Sequence, residues 1–291
     1  MTLRQEMLQA AAAARKPLGE AAERTLRFLH RQIADDGGFR GRSGHSDLYY
    51  TAFGLDGLVA LGAPVPRSLP REVRARFGDG ASLDFVHLAC LARCLALLPP
   101  ERPVREAVLD RLEAYRTPDG GYSQVPGARQ GTAYGAFLAA MACEDMGAAP
   151  PRAGDLARSL RALQAADGAF ANQPGARGGT TPATAAAVTL LRHLGQPVEP
   201  AVGQWLLARA HPQGGFRAAP RTPMPDLLST ATALHALALL GLPLDRVREA
   251  CLDFVDSLWS GEGGFYGHWA DDALDCEYAF YGLLALGHLS G

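Results

Sequence analysis

Four groups of side chains in this sequence have types and spacings that could do chemistry. The first is Asp84-Phe85-Val86-His87, followed by Cys90 and Cys94. On a helix these positions fall near one face. A carboxylate, an imidazole and a thiolate form a mixed donor set that can hold zinc, with Asp47 as a further ligand. The same residues serve equally as a helix cap, a hydrogen-bonded core histidine and two small buried thiols. The second group is Asp47, Asp226 and Asp275, each standing just before an apolar run. An aspartate there caps the helix; where several such ends converge, it can also hold a metal or act as a general acid. The third group is Arg40, Arg42, Arg129, Arg177, Arg217 and Arg221, all in polar loops that precede apolar runs. Guanidinium groups bind phosphate oxygens bidentately, and helix N-termini add N–H groups and a positive dipole; ordinary solvated loop charge is the alternative. The fourth group is aromatic: Tyr49, Tyr50 and Phe53; Tyr134 and Phe137; Trp269, Tyr278, Phe280 and Tyr281. Such rings line an apolar pocket, stabilise a cation, or simply pack a core. His45, His268 and Cys276 show no partner in the sequence.

The elements that must position these groups come from an internal repeat. A tight turn recurs as Gly37-Gly38-Phe39, Gly120-Gly121-Tyr122, Gly168-Ala169-Phe170, Gly214-Gly215-Phe216 and Gly263-Gly264-Phe265. After a first interval about twice the others, the turns return every 46 to 49 residues, and Gly78-Asp79-Gly80 fills the gap as a degenerate copy. Six repeats result. In each, an amphipathic helix precedes the turn, as at Glu20–Ile33, Val104–Tyr115, Asp155–Gln164 and Arg246–Trp259. A polar loop follows, then a second helix opened by Asp47, Asp84, Thr132, Thr181, Asp226 or Asp275. The second helices are apolar almost all round (LACLARCLALL, STATALHALALL) and stop at Gly/Pro signals such as Gly62-Ala63-Pro64, Pro99-Pro100 and Gly241-Leu242-Pro243.

A helix apolar on every side must be buried on every side. The simplest arrangement of six such helices with six amphipathic ones is an inner and an outer ring, an all-α (α/α)6 barrel in one domain over residues 1–291. An open solenoid is the competing arrangement, but solenoids carry polar capping repeats and both end repeats here are ordinary. Residues 1–18 read as a flexible or helical extension. With 48 % hydrophobic and 20 % charged residues and a net charge of −2, the chain has no electrostatic pull toward nucleic acid and no membrane span. Five irregularly spaced cysteines point to reduced thiols and a cytoplasmic setting.

The stretches PDGGYSQVPGARQGTAYGAFLAAM and GGFRGRSGHSDLYYTAFGLDGL resemble the repeats of the prenyltransferase and squalene-cyclase superfamily, and are most similar to the β-subunits of protein farnesyl- and geranylgeranyltransferases. The resemblance covers the chain from about Glu20 to Leu289. It implies a barrel whose central cavity holds a long isoprenoid chain, with the polar chemistry at a mouth near the inner-helix N-termini. In the β-subunits a catalytic zinc is held by Asp-x-Cys at one inner-helix start and Asp-x-x-His at the next. Here Asp226 is followed by Leu228 in place of the cysteine, and Asp275 by Tyr278 in place of the histidine. The cyclase branch uses Asp-x-Asp-Asp; Asp226-Leu227-Leu228-Ser229-Thr230 lacks the two later aspartates, and Asp271, Asp272 and Asp275 are wrongly spaced for it.

The expectation is a protein that handles an isoprenoid diphosphate. Asp226, Asp275 and Tyr278 stand at the catalytic positions. The loop arginines Arg129, Arg177, Arg217 and Arg221 would bind the diphosphate, although the last two fall off the family's usual positions. Tyr49, Tyr134, Trp269 and Tyr281 would line the cavity, and Asp84 with His87 is the candidate metal pair. Zinc or magnesium stays open as a cofactor, and so does a helical partner subunit. Two alternatives accompany this reading: a terpene-cyclase-like enzyme with an acid in its cavity, and a barrel that binds without turnover.

Overall fold

A computed structural model describes residues 1–66, 68–97 and 101–290; Pro99-Pro100, the expected stop of the second inner helix, lies outside them. The apolar helices are α4 (Leu48–Ala60), α6 (Phe85–Leu95), α8 (Ala133–Asp145), α10 (Thr181–His193), α12 (Leu227–Leu239) and α14 (Cys276–Leu289). Each packs on the next, and α14 packs back on α4, so the ring is closed. The amphipathic helices α3 (Ala21–Arg31), α5 (Ser68–Phe77), α7 (Arg102–Glu113), α9 (Ala153–Arg161), α11 (Pro200–Leu207) and α13 (Asp245–Ser257) lie against them from outside.

Several outer helices end earlier than the hydrophobic period predicts, because the chain leaves the helix to pair with its own turn. Ile33 bridges Phe39, Arg116 bridges Tyr122, Gln164 bridges Phe170 and Trp259 bridges Phe265 in short antiparallel contacts. The turn aromatic is thereby driven inward, and all five are essentially fully buried. In three repeats its N–H donates to a threonine one turn into the inner helix: Phe39 to Thr51 at 2.9 Å, Phe170 to Thr184 at 3.1 Å and Phe216 to Thr230 at 2.9 Å. The turn itself touches the next repeat. A Cβ on Gly214 (φ 91°) would sit 1.8 Å from the Ala250 carbonyl oxygen on α13, and one on Gly263 (φ 97°) 2.3 Å from that of Arg24 on α3. Only glycine accepts both that φ and that approach. The second contact joins the sixth repeat to the first.

The inner helices point the same way, and their N-termini are tied together. Asp47, Asp84, Thr132, Asp226 and Asp275 cap them as expected; in the fourth repeat the cap is Thr180 and Thr181 is the first helical residue. The first helical N–H then donates to the following repeat's loop: Ala133 to the Asn172 carbonyl, Thr181 to Ala218 and Leu227 to Gly267. Between the sixth and first repeats a side chain does this work. Arg42 donates to Asp275 at 2.7 Å and to Asp271 at 2.8 and 3.1 Å.

The N-terminal extension is helical. α1 (Leu3–Ala12), begun by a Thr2/Gln5 capping box, packs on α14, α4, α8 and α10 and closes the ring at the C-terminal ends of its helices; α2 (Arg15–Leu18) leads from it to α3. Leu3 and Ala11 are fully buried, and the Leu3 N–H donates to Glu144 near the end of α8. At the centre, the Asp56 carboxylate (1 % exposed) accepts Arg4 of α1 on one oxygen at 2.6 and 2.9 Å and Arg93 of α6 on the other at 2.5 Å. Removing the shared carboxylate leaves two guanidinium groups unpaired in the interior. Asp56→Ala is therefore expected to lower the unfolding free energy by about 3–5 kcal/mol, measured by urea denaturation. A loss below about 1 kcal/mol would show that α1 is not anchored through this group.

Candidate ligand cavity and its polar mouth

Inside the ring an apolar cavity runs along the axis in two lobes. The smaller, about 50 Å³, lies among Tyr49, Phe53, Cys90, Arg93, Tyr134 and Tyr281. The larger, about 100 Å³, lies among Pro182, Ala185, Thr189, Leu228, Thr232 and His235. Met7 of α1, Tyr134, Phe137 and Tyr281 border both. The lining is uneven: α4, α8 and α14 supply tyrosine and phenylalanine rings, whereas α10 and α12 supply proline, alanine, threonine, leucine and one histidine. Arg93 lies over the Phe53 ring at 4.4 Å and borders the smaller lobe while paired to the Asp56 carboxylate that it shares with Arg4. Wider depressions of about 330 and 640 Å³ flank α2 on the outer surface, away from the mouth residues.

At the mouth the aspartates serve the backbone. Asp226 accepts the Ser229 N–H at 2.7 Å and the Ser229 hydroxyl at 2.8 Å. Asp275 accepts the Tyr278 N–H at 2.8 Å as well as Arg42. Burial raises the pKa of both carboxyls. Tyr278 does not border the cavity; its ring packs over Gly267, with the Arg42 guanidinium 5.4 Å from its centre. Leu228 points into the larger lobe. The donor set for a zinc thiolate centre is therefore absent from these two repeats: two carboxylates are held as caps, and a leucine and a tyrosine occupy the remaining positions.

The second-repeat pair forms a local hydrogen bond. His87 Nδ1 lies 2.9 Å from Asp84 and its Nε2 3.8 Å from Asp47. Cys90 and Cys94 are buried, and burial pushes the Cys90 thiol up to about 12. Among the described residues no three His, Cys, Asp or Glu side chains converge as a metal-binding set.

The arginines divide. Arg42 is spent on the closing contact, and Arg40 donates to the Arg31 and Ile33 carbonyls of its own turn. Arg217 is partly buried and its Nε has no partner. Arg129, Arg177 and Arg221 are exposed on the loops of the third, fourth and fifth repeats. Trp269 lies outside the cavity: it is 42 % exposed, donates to Ser257 at 3.0 Å and packs on Phe254 and His211. Its position late in a long loop, far from the first helical turn, accounts for this.

The acid placed nearest the aromatic wall is one the sequence reading passed over. Glu277, the second residue of α14, accepts the Tyr49 hydroxyl at 2.7 Å, joining repeats six and one across 228 residues. Burial, with the neighbouring Asp275 charge adding to it, raises the Glu277 carboxyl to about 7 against the pull of Tyr49, Arg42 and Arg93. A carboxylic acid inside an otherwise apolar helix start was a legible signal, overshadowed by the aspartate cap two residues before it.

A closed double ring of helices around an axial apolar cavity defines an α/α toroid. The chain belongs to the prenyltransferase alpha-alpha toroid domain family, whose model matches residues 19–212 and 186–289. No curated protein matches the sequence. Among solved structures, the type II terpene cyclase MstE from Scytonema, in complex with its product merosterolic acid A, superposes with TM-score 0.66 at 14 % identity, covering 95 % of this chain and 97 % of that one. Candida albicans protein geranylgeranyltransferase-I complexed with GGPP gives 0.67 at 14 %, covering 92 % and 90 %. An α-1,6-mannanase of Salegentibacter gives 0.62 at 13 %, covering 94 % and 98 %. These likenesses establish the fold, which carries more than one chemistry.

Glu277 makes folding pH-dependent. Its folded pKa is raised from an ordinary 4.5 to about 7, so the stability it contributes is complete below 4.5 and is lost as pH rises through about 7. The melting temperature of Glu277→Gln should fall less than that of the parent protein between pH 5 and 8. Parallel curves for the two proteins would mean that the carboxyl is ionised in the native state.

Proposed function

We propose that the barrel binds an isoprenoid chain along its axis and holds a diphosphate head at the end where the inner helices begin. The observation that carries this reading is the apolar axial cavity, aromatic on one side and reaching Pro182 and Leu228 in the first turns of α10 and α12. Arg129, Arg177 and Arg221 support the head-group part. They stand on three successive loops leading into that end, are exposed, and make no hydrogen bond or ion pair among the described residues. The diphosphate would be met by these side chains more than by helix N-termini, whose first N–H groups are engaged by neighbouring loops in three repeats. The complex of the Candida toroid with GGPP is in keeping with this reading.

The lobes are small beside the several hundred Å³ of a usual small-molecule site, and of the four side chains that border both, Met7 is the one without a ring. It enters from α1 and borders both. An unbranched thioether is readily swung aside, so the chain length accepted depends on this residue.

A second reading is favoured by Glu277. A carboxyl that is protonated near neutrality beside an aromatic wall is the group a type II cyclase needs to protonate a carbon–carbon double bond, with Tyr49 and Tyr134 facing the resulting cation. In a barrel that binds without turnover, Glu277 has only its hydrogen bond to Tyr49.

Calorimetric titration of farnesyl and geranylgeranyl diphosphates and of the matching alcohols tests the proposal. Each buried methylene contributes about 0.8 kcal/mol until the space is filled. Geranylgeranyl diphosphate should therefore bind no more tightly than farnesyl diphosphate, and Met7→Ala should restore the gain. The triple variant Arg129→Ala, Arg177→Ala, Arg221→Ala should weaken diphosphates but not alcohols, and less so at high salt. Absence of binding by all four at micromolar concentration would overturn the isoprenoid reading.

A further inference from the structure

The inner end of the larger lobe carries polar atoms that the head-group chemistry does not use. His235 lies two turns beyond Leu228 on α12, roughly 10 Å deeper along the axis at 1.5 Å per residue, and borders the same lobe. It is 4 % exposed. Its Nδ1 is 3.0 Å from Nε2 of His288 on α14, while its own Nε2 is buried with no hydrogen-bond partner. Burial lowers the two imidazoles to about 3 and about 4, so both are neutral and one proton lies between them. His235 Nε2 is then a bare acceptor or an N–H donor, according to which ring gives that proton. Either state is costly for an atom left unpaired in an apolar wall.

Two hydroxyls border the same lobe. Thr232 donates to the Leu228 carbonyl at 2.7 Å and keeps its lone pairs. Thr189, on α10, makes no side-chain hydrogen bond among the described residues. No lysine or arginine borders this lobe, so an anion there would be an unpaired buried charge. A hydroxyl, both donor and acceptor, satisfies His235 in either tautomer. We propose that His235, with Thr189 and Thr232, forms a polar subsite for a hydroxyl on the buried end of the ligand, so that the preferred ligand is an oxygenated isoprenoid. The inference rests on the isoprenoid reading above and adds to it the chemistry of the far end of the chain.

Farnesyl diphosphate and its counterpart with a hydroxyl on the terminal isoprene unit separate the two claims, because the diphosphate keeps the head out of the apolar interior. By calorimetry the hydroxylated ligand should bind the parent protein about tenfold more tightly, as one buried hydrogen bond gives. His235→Phe should abolish the difference between the two ligands, and Thr189→Val should reduce it. In the parent protein, the ¹⁵N resonance of His235 Nε2 should shift with the hydroxylated ligand only, a readout that does not depend on the phenylalanine variant folding. Equal binding of the two ligands, with no ¹⁵N response, would overturn the subsite and leave the isoprenoid reading standing. Failure of both to bind would overturn that reading and the subsite with it.

Discussion

The constraint on which the structure depends is that its inner helices have no side on which to meet water. From α4 to α14 they bury apolar side chains all round, so an open end would expose a full helical face. At roughly 25 cal/mol for each Å² of apolar surface, leaving that face uncovered is a large penalty for a domain of this size. Ring closure follows, and the contacts between the first and sixth repeats are accordingly dense. Gly263 lies against the backbone of α3, Phe53 packs with Phe280 and Tyr281, and Tyr49 reaches Glu277. Arg42 supplies the polar part of the seam by meeting Asp271 and Asp275.

Closure decides which residues remain for chemistry. Capping consumes Asp226 and Asp275, the seam consumes Arg42, and neighbouring loops take the first N–H groups of α8, α10 and α12. The mouth is thus held by the polar groups that the family resemblance would assign to catalysis. Two residues along α14 stands a further buried carboxyl, Glu277, whose partner is a phenol from across the seam. In the interior, Arg4 and Arg93 share the Asp56 carboxylate, so one buried anion stands against two guanidinium groups.

The architecture was legible because it is periodic. Glycine turns, caps and all-apolar second helices each recur six times or nearly so, and a pattern repeated that often outweighs local ambiguity. Errors fall where one element yields to another, as where α3 stops before Ile33 so that Ile33 can bridge Phe39, and where Thr180 takes the cap from Thr181. The site was legible in part. Tyr49 and Tyr134, in the first turns of α4 and α8, and Tyr281, in the second turn of α14, border the cavity; Trp269 and Tyr278 are held outside by loop geometry and by Arg42. Glu277, Arg93 and His235 went unread because each acquires its role from a partner far away in the chain. The residue pairs Tyr49–Glu277 and His235–His288 have no local spacing to announce them. The docking of α1 had a local sign, Leu3, Met7 and Ala11 at helical spacing, in a stretch whose many alanines hide it.

The seat of α1 has a consequence for how the molecule comes into being. α1 rests chiefly against α14, which lies far downstream of it in the chain, with the Ala10 carbonyl lying where only Gly287 gives it room. During synthesis α1 leaves the ribosome early, yet its berth exists only after α14 has been made. Contacts of such long sequence separation form late. For most of translation, therefore, Leu3, Met7 and the Arg4 guanidinium stay without their native partners while the repeats assemble beside them. The nascent chain must carry this segment unsatisfied, a period in which chaperones and aggregation compete for it. Once made, α14 completes both the ring and the closure of its far end.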